Sequence, residues 1–201
     1  MSKDIPRHTQ EIAKPYIDNF RTAIDIGCRA GEYARYLVGD FKSVKCFEPR
    51  KQNRTRFMGS IPKKHFKKVK YYPCALGDVE GLVTMYGPTV RDEDEWWQKK
   101  KKRGNIVKGK LLEVKQKTLD SFNFKDVDFI KMDVEGHELK VLKGAVETIS
   151  IHKPVIVLEQ HKHIEKWEKG KRFDAIDFLK TLGYEQVAFD GFMDYVMKYT
   201  G

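Results

Sequence analysis

Short apolar segments that alternate with helical segments limit the folds open to this chain more than any other feature. Five segments have the length and apolar content of buried strands, and residues between them recur at helical spacing. The predicted strands are residues 22–26, 43–48, 69–75, 127–132 and 155–159, and the predicted helices are residues 32–38, 51–58 and the run marked by Leu139, Leu142, Val146 and Ile149. Such alternation is typical of a parallel sheet.

The end of the chain predicts a hairpin. A helix marked by Ile176 and Leu179 ends at Gly183, and two strand-like runs, 184–189 and 192–198, then flank an Asp-Gly pair. Asp-Gly between such runs is a strong hairpin signal, so the last strand should run antiparallel to its predecessor. The predicted fold is therefore α/β, with a mostly parallel seven-stranded sheet, a C-terminal antiparallel hairpin and helices on both faces.

The chain is predicted to form one domain over residues 1–201, because it has the length of a single core and no repeat or linker divides it. Residues 1–21 are expected to form an N-terminal segment with a helix near residues 9–19. Residues 88–110 are expected to form a basic insertion or lid that carries Trp96, Trp97 and the run 99–103. Accessory strands are predicted at 81–87 and 111–115, on either side of that insertion.

Neither a membrane span nor a disulfide framework is expected. No apolar run approaches the roughly 18 residues that a membrane helix needs, and residues 1–8 lack the apolar region of a signal peptide. The three cysteines, Cys28, Cys46 and Cys74, are too few and too scattered for a disulfide framework. We expect a soluble, cytoplasmic protein.

Positive charge is concentrated in two stretches of the chain. The net charge is +10, but residues 50–70 contribute +9 without a single acid and residues 91–110 contribute +4, which leaves −3 for the rest. A local excess of this kind indicates a surface that meets a polyanion such as nucleic acid, an acidic glycan or anionic lipid. The alternative is a solvated lysine-rich face without a partner.

The turn after the first predicted strand has the composition of a cofactor site. Asp25 precedes a Gly-x-x-x-Gly spacing, whereas the Gly-x-Gly-x-x-Gly fingerprint of dinucleotides and the phosphate-binding loop of nucleotide triphosphatases are both missing from the sequence. A cofactor with a ribose but no phosphates fits better. Glu48, at the end of the second strand, can accept hydrogen bonds from both ribose hydroxyls, and Asp25 can orient an ammonium group. These features predict S-adenosylmethionine, with the binding candidates Asp25, Gly27, Cys28, Arg29, Gly31, Glu48, Pro49, Arg50 and Asp133.

Several longer motifs resemble the FkbM family of S-adenosylmethionine-dependent methyltransferases over residues 22–160. They are Asp25-Ile26-Gly27 with Gly31, Phe47-Glu48-Pro49, Ala75-Leu76-Gly77-Asp78, Thr118-Leu119-Asp120 and, most specifically, the run from Ile130 to Glu138. The resemblance implies a Rossmann-like methyltransferase fold and methyl transfer to hydroxyls of sugars or other natural products. It also implies that Cys74, Ala75 and Leu76 frame the adenine. The basic stretches are not part of the resemblance.

Acids and histidines follow the fourth and fifth predicted strands, whose ends should be neighbours. A general base that removes the proton of an acceptor hydroxyl is expected among them, and Asp133 is the first candidate because it ends the strand nearest the cofactor methyl. His137, His161 and Glu159 are the further catalytic candidates. A divalent metal on Asp133, Glu159 and His161 is the less favoured alternative. Glu135 and Glu138 are explained equally well as acids that open a helix.

Three functions stay open from the sequence. The first is an O-methyltransferase that acts on a hydroxyl of a glycan or another anionic acceptor, with the basic stretches binding the acceptor. The second is ribose 2′-O-methylation of RNA, since Asp133, Glu159 and the many lysines resemble the lysine-acid set of such enzymes. The third is a cofactor-binding or nucleic-acid-binding module without turnover.

Overall fold

The computed structural model describes residues 5–86, 89–90, 111–160 and 173–201. Its strands are short, as in most α/β proteins. They are β1 Thr22–Ile26, β2 Ser43–Phe47, β3 Val69–Tyr72, β4 Ala75–Leu76, β5 Gly81–Tyr86, β6 Thr89–Val90, β7 Leu111–Lys117, β8 Val127–Met132, β9 Val155–Glu159, β10 Tyr184–Phe189 and β11 Asp194–Tyr199.

In the described ranges, six α-helices and three 3₁₀ turns accompany these strands. The helices are α1 Ile5–Ala13, α2 Ala34–Asp40, α3 Asn53–Ser60, α4 Glu138–Lys143, α5 Val146–His152 and α6 Asp174–Thr181, and the 3₁₀ turns are Lys14–Tyr16, Lys63–Lys68 and Asp120–Phe122. The N-terminal helix begins and ends earlier than predicted. It ends before Pro15, which lies in a separate 3₁₀ turn. None of the helices in the described part of the chain has the length and apolar composition to cross a bilayer.

Seven strands form the main sheet in the order β10-β11-β9-β8-β1-β2-β3. All run parallel except β11, which pairs antiparallel with both β10 and β9. The prediction of a mostly parallel sheet with a C-terminal antiparallel hairpin is confirmed. The loop between β10 and β11 comprises residues 190–193, so it is longer than a two-residue turn. Within this loop, the side chain of Asp190 accepts hydrogen bonds from the backbone N–H groups of Phe192, Met193 and Asp194.

A second sheet of four strands, in the order β4-β7-β5-β6, corrects the predicted third strand. β3 ends at Tyr72, directly before Pro73, and Ala75 and Leu76 instead pair with β7. Within sheets proline is confined to edges and strand ends, and at Pro73 the chain leaves the edge of the main sheet.

The helix predicted between Leu139 and Ile149 is two helices. A Cβ on Gly144 would overlap the carbonyl of Gly77, so this position allows close contact between the chain segments. Beyond it, the carboxylate of Asp120 accepts hydrogen bonds from the N–H groups of Glu147 and Thr148 and so caps α5. Contacts distant in sequence therefore divide a pattern that looks continuous.

Both faces of the main sheet are covered by helices. One face packs against α4, α5 and α6 through residues such as Ile130, Leu142 and Leu179, which are fully buried. The other packs against α1, α2 and α3 through Val44, Leu37 and Phe57. The expected helices on both faces are thus present, and the strand ends are left free to form a site.

A buried ion pair ties β8 to β11. Lys131 is 1% exposed, and its Nζ lies 2.8 Å from Oδ1 of Asp194. Tyr33 donates a hydrogen bond of 2.7 Å to Oδ2 of Asp194, and Oγ1 of Thr9 lies 3.0 Å from the same atom. Burial alone would raise the pKa of Asp194, but Lys131 and these hydrogen bonds hold that pKa below its ordinary value. The pair therefore stabilises the fold at neutral pH and loses that contribution as acid protonates Asp194.

We expect Asp194→Ala to lower the free energy of unfolding by about 3–5 kcal/mol, because it leaves the buried ammonium of Lys131 without its carboxylate. Asp177→Ala is the matched control, since Asp177 pairs with Lys180 at the surface, and should cost less than about 1 kcal/mol. Urea unfolding measures both. The double variant Lys131→Met/Asp194→Leu should be more stable than Asp194→Ala, and equal losses for the buried and exposed pairs would contradict this explanation.

Candidate active site

Two cavities open at the carboxyl ends of the central strands. The larger has a volume of about 440 Å³ and lies over the ends of β1 and β2, and the smaller, of about 240 Å³, lies toward β9 and β11. Gly27, Arg29 and Asp133 line both cavities. Ligands of open α/β sheets bind at this edge, so the two cavities form the candidate site.

Glu48 provides the carboxylate of the larger cavity. It is 6% exposed, and its Oε1 and Oε2 accept hydrogen bonds from the N–H groups of Arg50 (2.7 Å) and Arg29 (3.2 Å). Burial raises the pKa of Glu48, although these hydrogen bonds oppose the rise. The two N–H groups fix the carboxylate in place, and it lines the cavity as the sequence predicts for a group that binds a diol.

Gly27 lines both cavities, at the position where they adjoin. Its φ is +83°, and a Cβ at this position would overlap the carbonyl oxygen of Asp133. The N–H groups of Gly27 and Cys28 both donate to the carbonyl of Phe47, and the N–H of Asp133 donates to the carbonyl of Ile26. The ends of β1, β2 and β8 are therefore in close contact, and only glycine leaves the space between them open.

Carboxyl groups surround the smaller cavity. Asp25 is 2% exposed, and among the described residues its Oδ2 has no hydrogen-bond partner. Burial raises the pKa of Asp25 to about 7, although the nearby ammonium of Lys131 opposes the rise. A buried carboxyl oxygen without a partner is costly, so it marks a position that fits a donor or a cation.

Asp133 and Glu159 lie beside each other in the lining of the smaller cavity. Burial first, and then the charge of Asp133, raise the pKa of Glu159 to about 8, and the two side chains are hydrogen-bonded. At neutral pH Glu159 is therefore mainly protonated. Such a pair can accept or donate a proton, which is the chemistry that the sequence analysis expected at this edge.

The remaining predicted residues fall into three groups. Pro49, Arg50, Cys74, Ala75 and Leu76 line the larger cavity, and Cys28 lines the smaller. Gly31 lines neither, because it packs against Ser60 and Phe57 of α3. His161 and the tryptophans of the insertion, Trp96 and Trp97, lie outside the described residues.

His137 lines the larger cavity rather than the smaller one. It is buried, and its Nε2 lies 3.2 Å from Oε1 of Gln116, whose amide nitrogen donates to the carbonyl of Val79. The amide orientation indicates that Nε2 carries the proton. His137 thereby connects the loop after β8 to the second sheet.

Several lining residues were not selected from the sequence. In the smaller cavity these are Ile5, Pro6, Glu32, Tyr33, Asp190, Phe192, Met193 and Asp194, and in the larger they include Asn53, Arg56 and Met85. One signal was available for Asp194, since a lysine inside the apolar strand Val127–Met132 requires a buried acid elsewhere. Among the described residues, no group of three or more His, Cys, Asp or Glu side chains is arranged to hold a metal ion.

A family profile described as the methyltransferase FkbM domain matches residues 25–186. The chain belongs to the FkbM family of S-adenosylmethionine-dependent methyltransferases. The match includes the turn at Asp25, the carboxylate of Glu48 and the Asp133–Glu159 pair. All the residues that line the larger cavity lie within the match, whereas the smaller cavity is completed by residues on either side of it, from Ile5 and Pro6 to Asp194.

Similar proteins agree with this membership. "Methyltransferase 1" of Beauveria bassiana (strain ARSEF 2860) is 28% identical over 141 residues, which cover 60% of this FkbM chain and 57% of the fungal protein. The FkbM methyltransferase of Methylobacillus flagellatus KT has a TM-score of 0.56 at 20% identity and covers 90% of this chain. This chain spans only 44% of that bacterial protein.

Two further solved structures share the fold. An rRNA methylase from Streptococcus thermophilus has a TM-score of 0.56 at 9% identity, over 100% of this chain and 99% of its own. A putative methyltransferase from Streptococcus mutans, solved in complex with SAH, has a TM-score of 0.51 at 12% identity, over 98% of this chain and 97% of its own. At these identities the likeness shows the fold alone.

We expect Gly27→Ala to destabilise the FkbM domain more than Gly191→Ala. Both glycines have positive φ, so alanine costs about 1 kcal/mol or more at either position. Only Gly27 would also place a Cβ against the Asp133 carbonyl, whereas nothing lies within 4 Å of a Cβ at Gly191. Unfolding in urea measures the difference, and equal losses would show that the contact between β1 and β8 is not tight.

Proposed function

We propose that this chain binds S-adenosylmethionine across the two joined cavities and transfers its methyl group to a hydroxyl of an acceptor. The observation that carries the proposal is the position of two buried carboxylates on opposite sides of the Gly27–Asp133 junction, Glu48 in the larger cavity and Asp25 in the smaller. Membership of the FkbM family supports the same cofactor.

The residues fit this cofactor. Glu48 would accept the hydrogen bonds of the ribose diol, and Cys74, Ala75 and Leu76, which line the same cavity, would frame the adenine. Asp25 would face the ammonium of the methionine part, which would supply the partner that its Oδ2 otherwise lacks among the described residues. When bound, S-adenosylmethionine supplies an electrophilic methyl group on a positively charged sulfur.

Asp133 and Glu159 would handle the proton of the acceptor. A hydroxyl attacks well only when its proton is removed as the new bond forms, and a carboxylate within hydrogen-bond reach can accept that proton. Asp133 lines both cavities and so lies at the junction, while Glu159 lines only the smaller. Asp133 would accept the proton, and Glu159 would tune its basicity through the hydrogen bond between them.

The reacting group of the acceptor would be neutral. Asp25, Glu32, Asp133 and Glu159 line the smaller cavity. A phosphate or carboxylate there would meet the acids that are ionised and would raise the pKa values of the others further. A sugar hydroxyl suits this environment because it donates hydrogen bonds to carboxylates. An anionic acceptor such as an acidic glycan would then keep its charges outside the cavity.

RNA is a second candidate acceptor. The observation that favours it is the cationic stretch at residues 50–70, which carries nine lysines and arginines and no acid. A ribose 2′-hydroxyl is neutral and would satisfy the same requirement of the smaller cavity, while phosphates would bind elsewhere.

We expect Glu48→Gln to weaken S-adenosylmethionine binding about tenfold or more, because one carboxylate oxygen that accepts hydrogen bonds becomes an amide donor in a buried position. Glu185→Gln is the control, since Glu185 is exposed on β10 and should leave binding unchanged. Isothermal titration calorimetry measures both affinities. Unchanged binding by Glu48→Gln would show that this cavity does not hold the ribose.

We expect Asp133→Asn to lower the transfer rate about 100-fold or more with little effect on cofactor affinity. In the unmodified protein the rate should rise with pH up to about 8, where Glu159 loses its proton, because a pair that already holds a proton accepts another poorly. Glu159→Gln should remove that pH dependence.

Transfer of a labelled methyl group to oligosaccharides, nucleic acids and small hydroxylated metabolites measures these rates and identifies the acceptor class. If the pH dependence persisted in Glu159→Gln, the dyad would not be the base. If the cofactor bound but no acceptor were methylated by the unmodified protein, the chain would be a binding module instead.

A further inference from the structure

The loop between β8 and α4 supplies four of the residues that line the larger cavity. They are Asp133, Val134, Glu135 and His137, and Asp133 also lines the smaller cavity. Two residues of this loop have positive φ, namely Glu135 at +57° and Gly136 at +105°. A left-handed conformation costs a residue with a side chain, such as Glu135, about 1 kcal/mol or more, so nearby contacts must hold the loop in this shape.

Glu138, the first residue of α4, makes such contacts. It is buried, at 2% exposed, and its Oε1 accepts hydrogen bonds from the backbone N–H groups of Val134, at 3.1 Å, and Gly136, at 3.2 Å. Both of these donors precede the helix. An acid that only opens a helix interacts with the free N–H groups of the helix itself. The position of Glu138 in the first turn of α4 therefore does not by itself account for its contacts.

The hydrogen bond to Val134 fixes the peptide unit that follows Asp133. The unit that precedes Asp133 is held by β1, because the N–H of Asp133 donates to the carbonyl of Ile26 at 3.0 Å. In a planar trans peptide the carbonyl and the N–H point in opposite directions. The carbonyl of Asp133 accordingly points away from Glu138 and lies against Gly27, where a Cβ would overlap it. Both peptide units beside Asp133 are thus held, and together they determine where its side chain lies.

Burial of the Glu138 carboxyl group has a cost. It raises the pKa of Glu138 to about 7, and the charge of Asp133 adds to the rise, while the N–H groups of Glu138 itself, Gly136 and Val134 oppose it. An exposed acid would serve a helix without this cost, and Glu147 in the first turn of α5 is one. The buried carboxyl group is therefore better explained by the loop that it holds than by the helix that it begins.

We propose that Glu138 is a positioning residue, which holds the loop 133–137 and thereby sets the place of the Asp133 carboxylate where the two cavities adjoin. The proposal rests on the proposed function, because Asp133 is the group that would accept the proton of the acceptor. Glu138 is not among the residues that line either cavity, so it would act on the reaction only through the loop.

Amide hydrogen exchange, followed by NMR, tests the contact without cofactor or acceptor. In the unmodified protein the N–H groups of Val134 and Gly136 should exchange slowly, because both donate to a buried carboxyl group. Glu138→Ala should speed both exchange rates about tenfold or more, since each N–H loses its acceptor. Glu147→Ala, which removes the exposed acid of α5, should leave them unchanged. Fast exchange of both N–H groups in the unmodified protein would overturn the proposal.

Glu138→Gln is the conservative variant. Its amide oxygen can accept hydrogen bonds from the same two N–H groups, and its neutral side chain resembles the protonated carboxyl group that a pKa of about 7 favours below neutral pH. We expect this variant to keep the slow exchange of Val134 and Gly136 and most of the transfer rate. If it restored neither, Glu138 would not act through these two hydrogen bonds, and the proposal would fail.

The transfer assay separates positioning from stability, with the acceptor that the labelled-methyl panel identifies. At saturating S-adenosylmethionine and at a temperature where all variants are folded, we expect Glu138→Ala to lower the rate about tenfold or more. In the background of Asp133→Asn, the same change should lower the rate less than about twofold, because its effect passes through Asp133. Equal factors in the two backgrounds would overturn the proposal, since a change that weakens only the fold acts in both.

Calorimetry with S-adenosylmethionine on the unmodified protein separates this proposal from the proposed function. Absence of cofactor binding would overturn the proposed function, whereas the exchange rates would still decide whether Glu138 holds the loop. Cofactor binding and methyl transfer, with an unchanged rate in Glu138→Ala, would overturn only the positioning role. If Glu138→Ala did not fold, the exchange rates of the unmodified protein and of Glu138→Gln would still decide.

Discussion

One buried ammonium, that of Lys131, balances the carboxyl groups around the smaller cavity. It pairs directly with Asp194, and its charge also lowers the pKa values of Asp25 and Glu159. Burial outweighs this effect, so the pKa values of Asp25 and Glu159 remain raised, to about 7 and about 8. Carboxyl groups thus outnumber the cations that line the smaller cavity. A ligand that brings an ammonium and a sulfonium would supply positive charge, which is a physical reason for the proposed cofactor to bind there.

The parts of the fold that could be predicted are those that local pattern determines. β1, β8 and β9 are mainly apolar because they are buried on both faces of the sheet. The Asp-Gly pair predicts the final hairpin. The division between α4 and α5 was not predictable from spacing, since it depends on Gly77 packing against Gly144 and on Asp120 capping the second helix. Long-range contacts of this kind leave no periodic signal.

The candidate site shows the same limit. Asp25 and Glu48 lie at the ends of predicted strands, Asp133 directly follows one, and sequence position alone places them at one edge of the sheet. Asp190, Asp194 and the start of α1 reach the smaller cavity only because β11 inserts between β10 and β9 and binds Thr9 through its acids. Gly31 illustrates the opposite case, as a glycine of the motif that allows α3 to pack closely rather than lining a cavity.

The two cavities differ in the charge of the residues that line them, so each would bind a different part of one acceptor. Carboxyl groups line the end near β9 and β11, and Arg50 and Arg56 line the larger cavity at the end near β2. A small anionic acceptor would be drawn to the basic end, away from Asp133, and a small cationic acceptor would be repelled before it reached the cavity. A polymer with anionic groups separated by neutral hydroxyls satisfies both ends at once. The spacing of charge across the sheet therefore favours a long acceptor over a small metabolite, whichever backbone carries the hydroxyl.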